Sequence, residues 1–298
     1  MIIFNVIKNK GDKIVIKIVE KERYNDFSKY IYKINKSSGE IFDRSIIEEK
    51  ILEVTEYNFN SNFGVSVEIK NDNYFVVYLY FDKDFDNSNI LNHIEKILKN
   101  IIENKGDKDF YLNLYNQNKK VAEYLRKLGF KKDSSGIQYK IKLDKEIIEY
   151  IIPKNIYEKD FEFNFKKDYA KVLDEAFNDL AVSCGDEPDY YTKNIDNMAK
   201  WWNSLKDGER FKVFWVDNEI VALYYLEKDY INTIVVNPKI QRKGYGSVAL
   251  KAALKKLYEK GYNEVFLNCL DENKMAHSFY KKHGFEEYGM FNENTFKG

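Results

Sequence analysis

Tyr111 to Phe130 and Phe266 to Phe285 align without a gap at an offset of 155 positions and share seven identical residues. Typical residue usage would give about one or two by chance. Each stretch runs from Leu-Asn (Leu112-Asn113, Leu267-Asn268) through a lone asparagine (Asn118, Asn273) to Gly-Phe (Gly129-Phe130, Gly284-Phe285). Lys105-Gly106 and Lys260-Gly261 fall on the same offset. In a chain of 298 residues such a repeat predicts two copies of one domain, residues 1–150 and 151–298. Ile137 to Leu143 alternates like the closing strand of the first copy, and Asp144 to Lys159, which holds Pro153, reads as the connector.

Composition narrows the function classes. Forty-eight basic residues balance 48 acidic ones, so the chain lacks the basic footprint of a nucleic-acid binder. Its two cysteines, Cys184 and Cys269, have no C-x-x-C spacing, and with three histidines they predict neither a disulfide framework nor a metal site. A reducing cytoplasm fits this usage. No run of 18 apolar residues predicts a membrane span, and Met1 to Lys8 reads as a strand rather than a signal peptide.

The second copy carries the chemistry. Helical patterns occur around Tyr169 to Leu180 and Tyr190 to Leu205, and Phe211–Val216 and Ile220–Leu226 predict a hairpin across Asp217-Asn218-Glu219. The apolar strand Tyr230 to Val236 then leads through Asn237-Pro238 to Gln241-Arg242-Lys243-Gly244-Tyr245-Gly246 and a helix from Ser247 to Lys260. A strand feeding a glycine loop that opens a helix suits a phosphate: glycine admits close backbone approach, and first-turn N–H groups point at the anion.

The order of elements, with Gln-x-x-Gly-x-Gly after the third central strand and Asn273…Phe279-Tyr280…Gly284-Phe285 after the next, resembles the GNAT acyl-CoA N-acyltransferase superfamily. The resemblance covers residues 160 to 291, and residues 1 to 143 resemble a diverged second copy. It implies an α/β fold of α+β type: two tandem GNAT-like domains, each a mixed, mostly antiparallel central sheet flanked by helices. It further implies acetyl-CoA as acyl donor, with no metal. Ile234, Val235 and Val236 would pair with the pantetheine arm; Gln241, Arg242, Lys243, Gly244, Tyr245, Gly246 and Ser247 would form the pyrophosphate loop. Asn273 would contact the pantetheine region, and Tyr280 would be the acid beside the sulfur. Glu227, near the end of its strand, is the candidate general base, with Asp229 as the other choice. The expected reaction is acetyl transfer to a primary amine on a small molecule or peptide, by a monomer or homodimer. An acyl-CoA sensor without turnover is the alternative.

The first copy departs from this pattern. At the same offset the loop reads Asp86-Asn87-Ser88-Asn89-Ile90-Leu91, without glycine, and Tyr280 corresponds to Leu125, which has no proton to donate. The expectation is a fold without catalysis. Elsewhere Asp186, Glu187 and Asp189 suit a cationic acceptor, His277 and His283 read as surface or packing residues, and Cys269 and one of Trp201-Trp202 read as core.

Overall fold

The computed structural model describes residues 4–9, 12–85, 87–145, 149–206 and 208–296. Asp86 of the first copy's loop and Met1 to Ile3 of the expected first strand lie outside them. The chain divides into two compact units, Met1–Gln138 with Glu287–Gly298, and Tyr139–Glu286. The repeat places one junction near residue 150; the compact units change over at Gln138 and again at Glu286.

The first unit is a mixed sheet in the order β1 (Phe4–Asn9), β2 (Asp12–Ile18), β3 (Ile51–Phe59), β4 (Asn62–Lys70), β5 (Tyr74–Phe81), β6 (Asp109–Tyr115), followed by the chain's last strand, Glu286–Phe296, and β7 (Phe130–Lys142) as far as Gln138. β5 and β6 run parallel, registered at six positions, from Tyr74↔Asp109 to Leu79↔Leu114. The helix Ser88–Asn104 places Ile90, Ile94, Leu98 and Ile101 along one stripe, buried with Val77, Leu79 and Phe81 of β5. Asn87 caps it, its side chain accepting from Asn89 N at 3.1 Å and Ile90 N at 3.3 Å.

The last strand runs antiparallel to β6, from Phe291↔Tyr115 to Thr295↔Tyr111. Its two buried asparagines hold it there. Asn294 Nδ2 donates to Leu112 O at 3.1 Å, Asn292 Nδ2 donates to Asn116 Oδ1 at 3.2 Å, and Arg126 donates to Asn294 Oδ1. The end of the sequence is therefore an interior part of a unit built otherwise from its beginning.

Glu53 and Glu68 stand opposite each other across β3 and β4. Glu68 is buried, and burial, with the Glu53 charge second, pushes its carboxyl from the ordinary 4.5 up to about 7. Because the folded pKa lies above the unfolded one, the proton's contribution to stability is complete below about pH 4.5 and lost as pH rises through 7; the gap corresponds to about 3 kcal/mol. Burial holds the His93 imidazole low, so the two groups oppose each other in a raw pH profile. The expected result in urea unfolding is that the wild type loses about 2–3 kcal/mol more than Glu68→Gln between pH 5 and pH 8. Equal losses would mean that Glu68 is ionised in the folded protein.

The second unit repeats the plan. The end of β7, from Tyr139, is followed by β8 (Tyr157–Asp160), the helices Lys166–Cys184, Tyr190–Lys193 and Ile195–Lys206, β9 (Phe211–Val216), β10 (Glu219–Glu227), β11 (Tyr230–Val236), the helix Tyr245–Glu259, β12 (Glu264–Leu270) and the helix Lys274–Lys282. β12 and Lys274–Lys282 lie 155 positions beyond β6 and the first unit's helix Lys119–Lys127 at both ends. The predicted hairpin is present, and Asp217 and Asn218 at φ 47° and 67° give the left-handed pair that a two-residue turn needs. Its core gathers Trp202, Tyr169, Phe161 and Phe211, all buried, between the first helices and β9–β11. Cys269 is buried as expected. No helix among the described residues is long and apolar enough to cross a membrane.

Candidate functional site

The site begins with an irregularity in β11. Tyr225 pairs with Thr233 but Leu226 pairs with Ile231, so Asn232 is one residue too many for the ladder. Such a bulge bends its strand and strengthens the local twist. β11 and β12, parallel neighbours, are then registered only at Tyr230↔Phe266 and part beyond it. In the first unit β4 and β5 pair from Gly64↔Phe81 to Lys70↔Phe75 without a shift, and β5 stays with β6. One extra residue is what separates an open cleft from a closed pair of strands.

The bend decides which backbone groups become available. Asn237 N donates to Val221 O at 3.0 Å, and antiparallel alternation then gives Val235 to Leu223 of β10 and turns the N–H and C=O of Ile234 and Val236 toward the cleft. Val235 is also buried in the core. Of the three strand residues expected to face a ligand, two present backbone and the middle one packs.

The first unit shows what those groups accept. Phe81 lies 155 positions before Val236, and its N–H donates to Asn118 Oδ1 at 3.1 Å while its C=O accepts from Asn118 Nδ2 at 2.9 Å. A side-chain carboxamide thus completes β5 as another peptide would. Asn273, the counterpart of Asn118, instead caps its own helix, Oδ1 accepting from Ala276 N at 3.1 Å, and lines the cavity beside β11. The amide-pairing position filled in one copy is left to a ligand in the other.

The glycine loop lies next to this edge. Gly244 has φ 86°, a left-handed conformation, and a Cβ built there would meet nothing within 4 Å, so glycine is required by the backbone and space is left for an anion. Gly246 has a different reason: a Cβ there would stand 3.2 Å from Val236 Cγ2 and 3.4 Å from Phe279 Cε2. Ser247 N and Val248 N turn back to Gly244 O at 3.0 and 3.2 Å, leaving the amides of Tyr245 and Gly246 as the open donors of the first turn. Gln241, Arg242 and Lys243 are exposed, with Arg242 also left-handed at φ 67°. Ser247 contributes its hydroxyl elsewhere, to His283 Nε2 at 2.9 Å. His283 Nδ1 donates to Phe279 O at 2.8 Å, so in the neutral ring Nε2 is the acceptor.

A cavity of about 750 Å³ opens between β11, β12 and the first two helices. Tyr280 reaches it, and among the described residues no hydrogen bond engages its Oη. Burial, with Cys269 second, pushes the Tyr280 hydroxyl well above the ordinary phenol value, so at neutral pH it is a donor. Burial pushes the Cys269 thiol up to about 12, which makes it a poor nucleophile although it lines the same cavity. Glu227 is exposed at the end of β10, accepts from Asn232 Nδ2 at 3.3 Å, and is not part of the lining. Asp229 gives its carbonyl to Phe266 N at 3.0 Å.

His277 and His283 both have partners that sequence reading did not supply. Tyr139 Oη lies 2.9 Å from His277 Nδ1, and His277 Nε2 donates to Leu270 O at 2.9 Å. Tyr139 is fully buried and comes from the last strand of the first repeat. The bulge also left a readable sign, since Asn232-Thr233 sets two polar residues in succession where strand alternation demands one.

Residues 170–285 match the family model described as the acetyltransferase (GNAT) family. Among solved structures, the chain is similar to a GCN5-related N-acetyltransferase from Sphaerobacter thermophilus, at 12% identity over 95% of both chains with a TM-score of 0.54. It is also similar to a conserved protein of unknown function from Staphylococcus epidermidis, at 14% identity over 78% of this chain and 91% of that one, with a TM-score of 0.50.

Proposed function

We propose, from the premise that residues 170–285 form a domain of the GNAT acetyltransferase family, that this protein transfers the acetyl group of acetyl-CoA to a primary amine within its second unit. The observation that carries this reading is the parting of β11 and β12, which leaves the Val236 peptide open where Asn118 closes its counterpart. An amide of the pantetheine arm has the donor and acceptor that this edge lacks. The open amides of Tyr245 and Gly246 at a helix N-terminus suit the pyrophosphate.

The chemistry follows from the groups in the cavity. The acceptor ammonium loses a proton, and the nitrogen lone pair forms a bond to the thioester carbonyl carbon. The carbon–sulfur bond breaks with its electron pair passing to sulfur, and the nitrogen, now bonded to the carbonyl carbon, gives a second proton to solvent. Tyr280 gives its proton to the sulfur, and a proton from solvent restores Tyr280. The products are an amide, CoA thiol and one released proton. With the Val236 peptide given to the pantetheine amide, the other open N–H of this edge, that of Ile234 and not that of Val235, faces the developing oxyanion. Direct transfer needs no acyl-enzyme, in keeping with the poor nucleophilicity of Cys269. Glu227 receives the acceptor's proton only through water, since it stands outside the cavity lining.

Thermal stabilisation by acetyl-CoA, followed by thiol release with amines, tests the reading; stabilisation without release would favour an acyl-CoA sensor. Tyr280→Phe is expected to lower kcat by roughly 100-fold with acetyl-CoA affinity nearly unchanged. A kcat within threefold of wild type would remove Tyr280 from the role of acid. The first unit, with its strands paired and Asn118 on Phe81, is proposed to bind no acyl-CoA.

A further inference from the structure

The acceptor end of the cavity is built from the end of the Lys166–Cys184 helix and the turn that follows. Gly185, at φ 84°, donates to Val182 O at 3.0 Å, and Asp186 N donates to Ala181 O at 2.9 Å. This paired closure of the helix end fixes the backbone of Asp186 at the cavity wall. Phe177, Tyr190 and Tyr191 form aromatic walls, with the Phe177 and Tyr191 rings 6.2 Å apart and Tyr190 edge-on to Tyr191 at 5.5 Å.

Charge around these rings is one-sided. The ionic side chains of the lining are Asp174, Asp186, Glu187 and Lys193. Asp174 spends its two oxygens on Tyr191 N and Thr192 N, each at 2.9 Å. Lys193 is held by Glu187 at 3.0 Å. The Asp186 carboxylate has no hydrogen bond or ion pair among the described residues. An incoming ammonium therefore finds an uncommitted carboxylate, whereas an acceptor carboxylate or phosphate meets acids and a lysine already taken.

We propose that the acceptor is a small amine with an aromatic or apolar body and no carboxylate or phosphate of its own. This rests on the acetyl-transfer reading above. The rings bury the body, and the acids draw in the ammonium before it is deprotonated for attack.

A matched pair of acceptors tests it. Phenethylamine and phenylalanine share a ring and an amine and differ by one carboxylate, and glucosamine supplies an amine on a polar body. With saturating acetyl-CoA and thiol release as readout, kcat/KM for phenethylamine is expected to exceed that for the other two by at least about tenfold. Asp186→Lys, at an exposed position where folding is not at stake, is expected to shrink the phenethylamine-to-phenylalanine ratio by at least about fivefold. Phenylalanine or glucosamine used as well as phenethylamine, or a ratio unmoved in Asp186→Lys, would overturn the proposed class and leave acetyl transfer standing. Thiol release with none of the three, despite stabilisation by acetyl-CoA, would overturn both.

Discussion

Gly246→Leu is expected to abolish measurable acetyl-CoA binding, a loss of at least about 100-fold in affinity. The cause is packing more than access. A Cβ alone would press on Val236 Cγ2 at 3.2 Å and on the Phe279 ring at 3.4–3.5 Å, and the two methyls of leucine must go further into the same contact. Overpacking of this kind costs about 1–3 kcal/mol, and here it falls on the two features a ligand needs, the first turn of the Tyr245–Glu259 helix and the open edge of β11. Gly246→Ala is the graded control: one methyl at those distances should weaken binding by roughly tenfold. Isothermal titration with acetyl-CoA on variants that keep the wild-type unfolding transition checks both. Leucine at position 246 with affinity within threefold of wild type would mean that neither feature forms the binding site.

The second large effect concerns the end of the chain. The family match stops at residue 285, so removal of residues 287–298 looks harmless from the point of view of the site. It should instead open the first unit. β6 would lose the ladder from Tyr111 to Tyr115, and Leu112 O, Asn116 Oδ1 and Arg126 would lose the partners that Asn292 and Asn294 provide. Each buried polar group left unpaired costs about 1–3 kcal/mol, before the lost burial of Phe291 is counted. Hydrogen exchange on the truncated chain should show the amides of Asp109–Tyr115 losing most of their protection. Protection equal to that of the full chain would mean that this strand is an accessory to the first unit rather than part of its core.

Much of this was legible in the sequence because the information was local. The hairpin at Asp217-Asn218 and the glycine loop between strand and helix depend on neighbours in the chain, and the structure places them where the residues announce them. The 155-position offset also carried over, to the ends of β6 and β12. What escaped was partner choice. Nothing in Glu286–Phe296 says that its neighbour is β6, since alternation specifies a strand and not the strand beside it. Asn118 and Asn273 occupy the same place in the repeat, yet the carboxamide of Asn118 closes the position that Asn273 leaves open. Ser247 looked like a loop residue, but its hydroxyl is committed to His283 from 36 positions away. Glu227 was a choice by proximity in sequence, and the turn of its strand leaves it exposed outside the cavity lining.

The extra residue at Asn232 also has a cost in solubility. By parting β11 from β12 it leaves an unsatisfied strand edge in the second unit, with donors and acceptors set at the spacing of any extended peptide. A bound cosubstrate would cap that edge; without one, the edge is free to pair with whatever strand arrives. The first unit, whose strands remain paired, has no such opening between β5 and β6. The same register error that makes room for a ligand makes the empty protein the more adhesive state, and adding acetyl-CoA during refolding should suppress aggregation as well as raise the melting temperature.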